Sequence, residues 1–200
     1  MDHFAYQRGE LYCEQVAVRR IADEVGTPVY VYSQRTFLDH YARVREAFAE
    51  LNPIICFSVK CCQNIHICRL LAGQGAGFDV VSGGELFRAL TAGADPSKIV
   101  YAGAGKTDAE IRQAIEAGIG WFNIESEPEL ENLQRLAAAR GTRVRAALRI
   151  NPDVDPRTHV YTTTGKKETK FGVDLERARR VFEQYGRQPN VHLCGLHLHI

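Results

Sequence analysis

A lysine that ends an apolar run has the first chemical claim in this sequence. Lys60 follows Ile54-Ile55-Cys56-Phe57-Ser58-Val59, a β-branched and aromatic stretch of the kind that forms a buried strand. An amine at the end of such a strand is partly desolvated, which lowers its pKa and makes it a usable nucleophile toward carbonyls. The competing reading is a lysine that snorkels into solvent, and spacing alone does not separate the two. His197 and His199 stand two apart on the last apolar run, where strand alternation sends both imidazoles to one face. They read as a metal pair or as stacking or core histidines; the latter is favoured because no third ligand stands at a suggestive spacing. Asp79, Glu85, Glu125 and Arg149 fall at or just beyond strand-like runs, and each also reads as a cap or surface residue. Two glycine-rich stretches imitate nucleotide sites and fail. In Gly103-Ala104-Gly105-Lys106-Thr107, Val100 stands where a phosphate loop needs its first glycine. Gly73-Gln74-Gly75-Ala76-Gly77 follows a helical pattern instead of a strand, and Phe78 breaks the spacing.

The elements that must position these residues repeat. Strand-like runs begin near 54, 77, 99, 121 and 143, a period of about 22 residues. Helical patterns over 65–72, 84–92, 107–117 and 127–140 lie between them, most closed by a glycine (Gly73, Gly93, Gly118, Gly141) where a left-handed cap costs least. Strand–helix repetition demands parallel strands joined by right-handed crossovers, and such uniform units suit a closed ring. The expected fold class is therefore α/β, a (β/α)8 TIM-type barrel in preference to an open doubly wound sheet. A long polar loop over 151–172 follows the fifth strand at its C-terminal end, the face on which barrel enzymes place their sites. A helix over 174–185 and a sixth strand over 191–200 complete the pattern. Eight units take about 250 residues, so the expectation is a barrel cut after about six strands.

Residues 1–52 break the period. Leu11-Tyr12-Cys13 reads as a strand, 16–25 as a helix, 28–32 as a strand, and a helix opens at Ser33. In that last helix Phe37, Leu38, Tyr41, Val44, Phe48 and Leu51 step by three and four, which predicts one buried stripe. The segment serves either as a barrel cover or as a partner for a separate domain.

Composition narrows the ligand. Of 200 residues, 45% are apolar and 24% charged, the profile of a globular chain with a sizeable core. Twenty-five Lys+Arg against 24 Asp+Glu leave a formal charge of +1, no field for holding nucleic acid or an anionic membrane by charge alone. A small-molecule substrate is the expected partner. The longest uncharged apolar stretch, 53–59, is far too short to span a membrane, and the first residues lack a secretory pattern; the expected address is cytoplasmic. Six cysteines without a Cys-x-x-Cys fit neither a disulfide framework nor a zinc ribbon and read mostly as small buried hydrophobes.

Together the motifs carry a resemblance. Val59-Lys60, Gly77-Phe78-Asp79-Val80-Val81-Ser82-Gly83-Gly84-Glu85-Leu86, Tyr101-Ala102-Gly103-Ala104-Gly105-Lys106-Thr107-Asp108, Asn123-Ile124-Glu125-Ser126-Glu127, Arg149-Ile150-Asn151-Pro152-Asp153 and Gly195-Leu196-His197-Leu198-His199-Ile200 resemble the diaminopimelate decarboxylases, a branch of the fold-type III pyridoxal-phosphate decarboxylases. The match runs from about residue 10 to the end, and the segment from His159 to Gly172 favours this branch over the ornithine and arginine branches. The resemblance implies pyridoxal 5'-phosphate as cofactor and release of CO2 from meso-2,6-diaminopimelate, leaving L-lysine, in a homodimer with shared active sites. It implies that Lys60 binds the cofactor aldehyde covalently, that His199 stacks on its ring, and that Asp79, Glu85 and Arg149 surround the cofactor. It also implies a division into an N-terminal segment, 1–33, that packs with a C-terminal β-domain, and a partial barrel, 34–200, that binds the cofactor. Where relatives usually carry alanine and asparagine after the lysine, this sequence has Cys61-Cys62-Gln63-Asn64. The 200 residues alone are expected neither to hold the cofactor tightly nor to turn over substrate. Rival readings are another fold-type III decarboxylase, a non-catalytic homologue, and a metal-dependent barrel hydrolase built on His197 and His199.

Overall fold

A computed structural model describes residues 3–152, 154 and 172–199. The chain opens with a small antiparallel sheet of β1 (Phe4–Gln7), β2 (Glu10–Cys13) and β3 (Val16–Ala17). Arg8 and Gly9, both with positive φ, make the two-residue turn between Gln7 and Glu10, a geometry whose twist matches that of the flanking strands. Helix α1 (Val18–Val25) follows, then α2 (Gln34–Ala47), whose N-cap Ser33 accepts the Thr36 N–H at 3.0 Å. His3 bonds Asp39 at 2.6 Å, and Glu14 accepts from Ser33 Oγ at 2.8 Å and the Arg35 N–H at 2.9 Å; these bonds moor the small sheet to the start of α2.

The main body is a six-stranded parallel sheet in sequential order: β4 (Cys56–Ser58), β5 (Gly77–Val80), β6 (Ile99–Tyr101), β7 (Trp121–Ile124), β8 (Val144–Arg149) and β9 (Val191–His197). Helices α3 (Ile65–Ala72), α4 (Gly83–Thr91), α5 (Asp108–Ala117), α6 (Glu127–Ala139) and α7 (Leu175–Tyr185) make the crossovers. Strand order equal to chain order is that of the first six units of a (β/α)8 barrel, as the 22-residue period predicts.

Alternation along the strands sorts the side chains into two faces. Phe78, Val80, Ile99, Tyr101, Phe122, Ile124, Leu148 and Leu193 are buried under the helices, against Leu71, Leu86, Ile111, Leu130, Leu133 and Val181. On the other face the register aligns Ser58, Asp79, Val100 and Trp121, then Asn123, Ala147 and Gly195, then Arg149 and His197. One face is thus an apolar seam and the other carries the polar and charged groups.

Several expectations need correction. The α2 stripe is not buried: Val44, Phe48 and Leu51 are exposed, and only Phe37, Leu38 and Tyr41 are partly covered. Phe37 meets Phe57, and Phe57 meets Phe78, edge to face at 6.4 and 6.3 Å, so α2 lies in the helix layer beside α3 and does not cover an end of the barrel. Further along α2, Tyr41 and Val44 line a cavity of about 300 Å³ with Cys56 and Phe57 of β4. Residues 28–32, expected as a strand, form none, with Val29, Tyr30 and Tyr32 exposed; a strand needs a neighbour, and these residues pair with no described strand. The α1 helix starts at Val18 because Val16 and Ala17 pair with β2. Gly118 closes α5 with φ +68, but Gly73 is right-handed and the positive φ falls at Gly75. Strand β9 stops at His197, so His199 lies beyond it. Of the six free cysteines, Cys13 and Cys68 are buried, Cys56 and Cys62 half-buried, and Cys61 and Cys194 exposed; Cys61 sits on the strand-end rim and Cys194 at the β8–β9 register shift.

Gly120 marks how closely the chain is packed where α5 gives way to β7: a Cβ there would stand 2.1 Å from the Ser97 carbonyl oxygen. Gly120→Ala is expected to cost about 1–3 kcal/mol, seen as a lower urea midpoint at unchanged m value.

Candidate active site

Each strand of the sheet delivers its last residues to the same end, where the next helix begins. Ser/Thr-x-x-Glu recurs at three of these junctions. Ser82 caps α4 by accepting the Glu85 N–H, and the Glu85 carboxylate turns back to accept the Val81 N–H at 2.9 Å. Thr107 and Glu110 form a full capping box on α5, with the other Glu110 oxygen accepting the Gly83 N–H at 2.8 Å. Ser126 caps α6, and Glu129 accepts the Glu125 N–H at 2.9 Å. Carboxylates at helix N-termini satisfy orphan N–H donors and lie at the positive end of the helix dipole.

Lys60 lies in the single turn Val59–Cys61 directly after β4, and it is exposed at the sheet's C-terminal end. On the adjacent strand Asp79 accepts from Ser58 Oγ at 3.0 Å. Further along the row, Arg149 Nη1 donates to both Glu125 oxygens at 3.2 and 3.1 Å, in a pair whose side chains are 8% and 3% exposed. Arg149 is in register with His197. Burial, and next the Arg149 guanidinium, hold the His197 imidazole below its ordinary pKa, while Glu125 and Asp79 pull the other way. The His197 Nδ1 is buried and has no hydrogen-bond partner among the described residues.

Of the predicted site residues, the sheet gathers Asp79, Arg149, His197 and His199 into one electrostatic group. Lys60 stands at the β4 edge of the same end. Glu85 is buried and spent on the Val81 amide and, at 3.4 Å, Gln63 Nε2, so its immediate task is to shape the β5–α4 corner. The imidazoles of His197 and His199 do not form a metal centre with a third group: no cluster of three His, Cys, Asp or Glu side chains suited to a metal exists among the described residues. Sequence reasoning missed Lys106 and Glu129, whose side chains are 1% and 10% exposed and 2.5 Å apart. Lys106 lies in the stretch that failed as a phosphate loop; the Ser126-x-x-Glu129 spacing was the available pointer to its partner. The larger concavities lie away from this group, about 500 Å³ beside Tyr32, Phe37 and Arg69 and about 810 Å³ beside Tyr41 and Lys98. Both flank α2 at the β4 edge, so chemistry and not volume locates the site. The segment from His159 to Phe171 lies outside the described residues.

Six parallel strands in chain order place an amine, a guanidinium, carboxylates and imidazoles at their C-terminal ends, and residues 34–200 match the family described as "Pyridoxal-dependent decarboxylase, pyridoxal binding domain". The chain belongs to that family. Within it, the chain is 45% identical over its whole length to diaminopimelate decarboxylase of Pseudomonas aeruginosa, and 43% identical over 99% of its length to that of Aquifex aeolicus. The structure of diaminopimelate decarboxylase from M. jannaschii in complex with L-lysine superposes on all of the chain with a TM-score of 0.91 at 36% identity. A lysine/ornithine decarboxylase from Vibrio vulnificus, 21% identical with a TM-score of 0.75, shares the fold. The chain spans 48% of the P. aeruginosa protein and 48% of the M. jannaschii chain, about half the length of the curated relatives it matches.

The residues present fit a pyridoxal group. A lysine amine at a strand mouth suits its aldehyde, and fixed opposite charges beside a half-buried imidazole suit a flat, polar ring.

Two expected outcomes follow from the buried pair and its neighbour. Arg149→Met leaves Glu125 buried without its cation and is expected to cost about 3–5 kcal/mol in urea unfolding. His197, with a folded pKa below its unfolded value near 6.5, takes up its proton more readily in the unfolded chain. It therefore lowers stability as pH falls from about 6.5 to its folded midpoint and contributes nothing above that range. His197→Gln is expected to flatten this acid-side loss in urea midpoints measured from about pH 5 to 7.5.

Proposed function

We propose that this chain is the cofactor-binding part of a pyridoxal-phosphate-dependent carboxy-lyase that converts meso-2,6-diaminopimelate to L-lysine and CO2. The observation that carries the reading is Lys60 at the mouth of β4, one strand from Asp79, in a chain 45% identical along its whole length to a diaminopimelate decarboxylase. The L-lysine bound in the M. jannaschii structure, and in one from Helicobacter pylori, is the product this reading requires.

Bound pyridoxal phosphate supplies an aldehyde for the substrate amine and a conjugated ring that takes up the electron pair left by the departing carboxylate. Lys60 would hold the group through its Nζ at the strand mouth, where its exposed side chain is free to reorient. His199 supplies a flat partner for the ring, while Asp79 and Arg149 fix charge around it. Glu125 accepts from the guanidinium's Nη1 with both oxygens and so anchors that end of the cation. Glu85 contributes by holding the β5–α4 corner.

The enzyme acts as a homodimer in the cytoplasm under this reading; no described helix is long and apolar enough to cross a membrane. Residues 1–33 pack with a β-domain outside this sequence, and the small sheet ending at Ala17, set apart from the barrel strands, supports that division.

Borohydride reduction of the full-length protein with pyridoxal phosphate, followed by peptide mass spectrometry, is expected to place the pyridoxyl mass on Lys60. Lys60→Ala is expected to lower CO2 release from diaminopimelate by about 10²–10⁴-fold. An unmodified Lys60 in folded protein overturns the reading.

A further inference from the structure

The ammonium of Lys106 has three protons and three acceptors: the Gly103 carbonyl at 2.7 Å, the Asn123 carbonyl at 2.8 Å and Glu129 Oε1 at 2.5 Å. It also lies 5.6 Å from the centroid of the Tyr101 ring. A lysine so completely satisfied has no donor left for a phosphate or a substrate, which is why the glycine-rich stretch around it is not an anion site. The bonds form a closed circuit instead. Glu129 uses its second oxygen to accept the Glu125 N–H at 2.9 Å, and Glu125 Oε1 accepts the Gly103 N–H at 3.3 Å. Gly103 in turn offers its carbonyl to Lys106. The outward side of this circuit is the Glu125 carboxylate, and what it holds is Arg149, in register with His197.

Stability alone is a weak reason for such a pair. Burying both charges costs about as much as their attraction returns, and apolar residues of similar volume often serve as well. Burial pushes the Glu129 carboxyl above its usual range, and the Lys106 contact and the Glu125 N–H pull against that rise. A buried ionic circuit does supply directional constraint: it allows one placement of the Glu125 carboxylate where an apolar contact would allow several.

We propose that Lys106 and Glu129 are positioning residues for the active site, holding Glu125 so that its carboxylate fixes the Arg149 guanidinium beside His197. The inference rests on the reading of these strand ends as the pyridoxal site. Neither residue touches the reacting atoms. Removing them leaves every proposed contact residue in the sequence but loosens the placement of the charges.

The test uses the full-length protein and the double substitution Lys106→Met with Glu129→Leu, which removes both charges together and strands neither. The first readout is the His197 midpoint, followed by imidazole NMR in cofactor-free protein. The charged groups acting on this ring are Arg149 on β8, Glu125 after β7, Asp79 on β5 and His199 after β9. Because Arg149 and Glu125 act with opposite sign, the midpoint is expected to move by at least about half a pH unit, in whichever direction the loosened pair relaxes. The second readout is steady-state turnover, expected to lose about ten- to a hundredfold in kcat with KM within about twofold. If the double variant does not fold, Glu129→Gln, which keeps the volume and removes one charge, is read the same way.

An unmoved His197 midpoint in folded variant protein overturns the proposal, as does a moved midpoint with unchanged kcat. The NMR arm needs no cofactor, so its outcome stands apart from the fate of the pyridoxal reading, which the unaltered protein decides through the label on Lys60.

Discussion

Uniform handedness of the crossovers is the constraint on which the rest depends. A parallel strand that feeds a right-handed helix returns to the same side of the sheet each time, so five successive helices cover one face and leave the other to polar residues. The apolar cost of folding is met on the helix side, by Phe78, Tyr101, Phe122, Leu148 and the leucines of α4 and α6. Side chains at alternate positions are thereby released from that duty. Asp79, Asn123, Arg149 and His197 occupy those positions, and a chemical site can be assembled there without weakening the seam.

The same handedness brings every helix N-terminus to the end of the sheet where the strands finish. Free amide donors accumulate there, and three Ser/Thr-x-x-Glu junctions satisfy them with carboxylates. Those carboxylates do more than cap. Glu110 reaches back to Gly83 in the preceding unit, and Glu129 joins Lys106, which bonds the carbonyls of Gly103, just after β6, and Asn123, on β7. Adjacent units are therefore tied together at the rim that carries the functional groups. The opposite rim relies on contacts such as Arg145 over Trp121, 4.7 Å from guanidinium to ring centroid.

Much of this was legible in the sequence. The strand runs fell within a residue or two of the observed elements in most units, and α3 and β7 matched them because their apolar residues are buried locally. The α2 stripe shows the limit. Its three-and-four spacing gives the right helix, but Phe48 and Leu51 are exposed, because spacing says which side chains share a face and nothing about what stands opposite. The same holds for 28–32, which reads as a strand in the sequence yet has no described neighbour to pair with and forms none. Cys61 and Cys194 are exposed for a related reason: their positions, at a strand-end rim and at a register shift, are properties of the assembled sheet.

The sequence by itself determined the period, and with it the strand order, the side on which the helices lie and the end at which Lys60, Asp79, Arg149 and His199 gather. Those follow from local hydrophobic alternation and the fixed hand of the crossover, which act within each unit. Tertiary structure alone decided which charges meet. Glu85 and Glu129 follow the same Ser-x-x-Glu spacing, yet one closes a corner of the backbone and the other pairs with a buried lysine 23 residues away in the chain. The reason is that an ion pair depends on distance and burial, and both are set by how neighbouring units pack rather than by the order of residues within either.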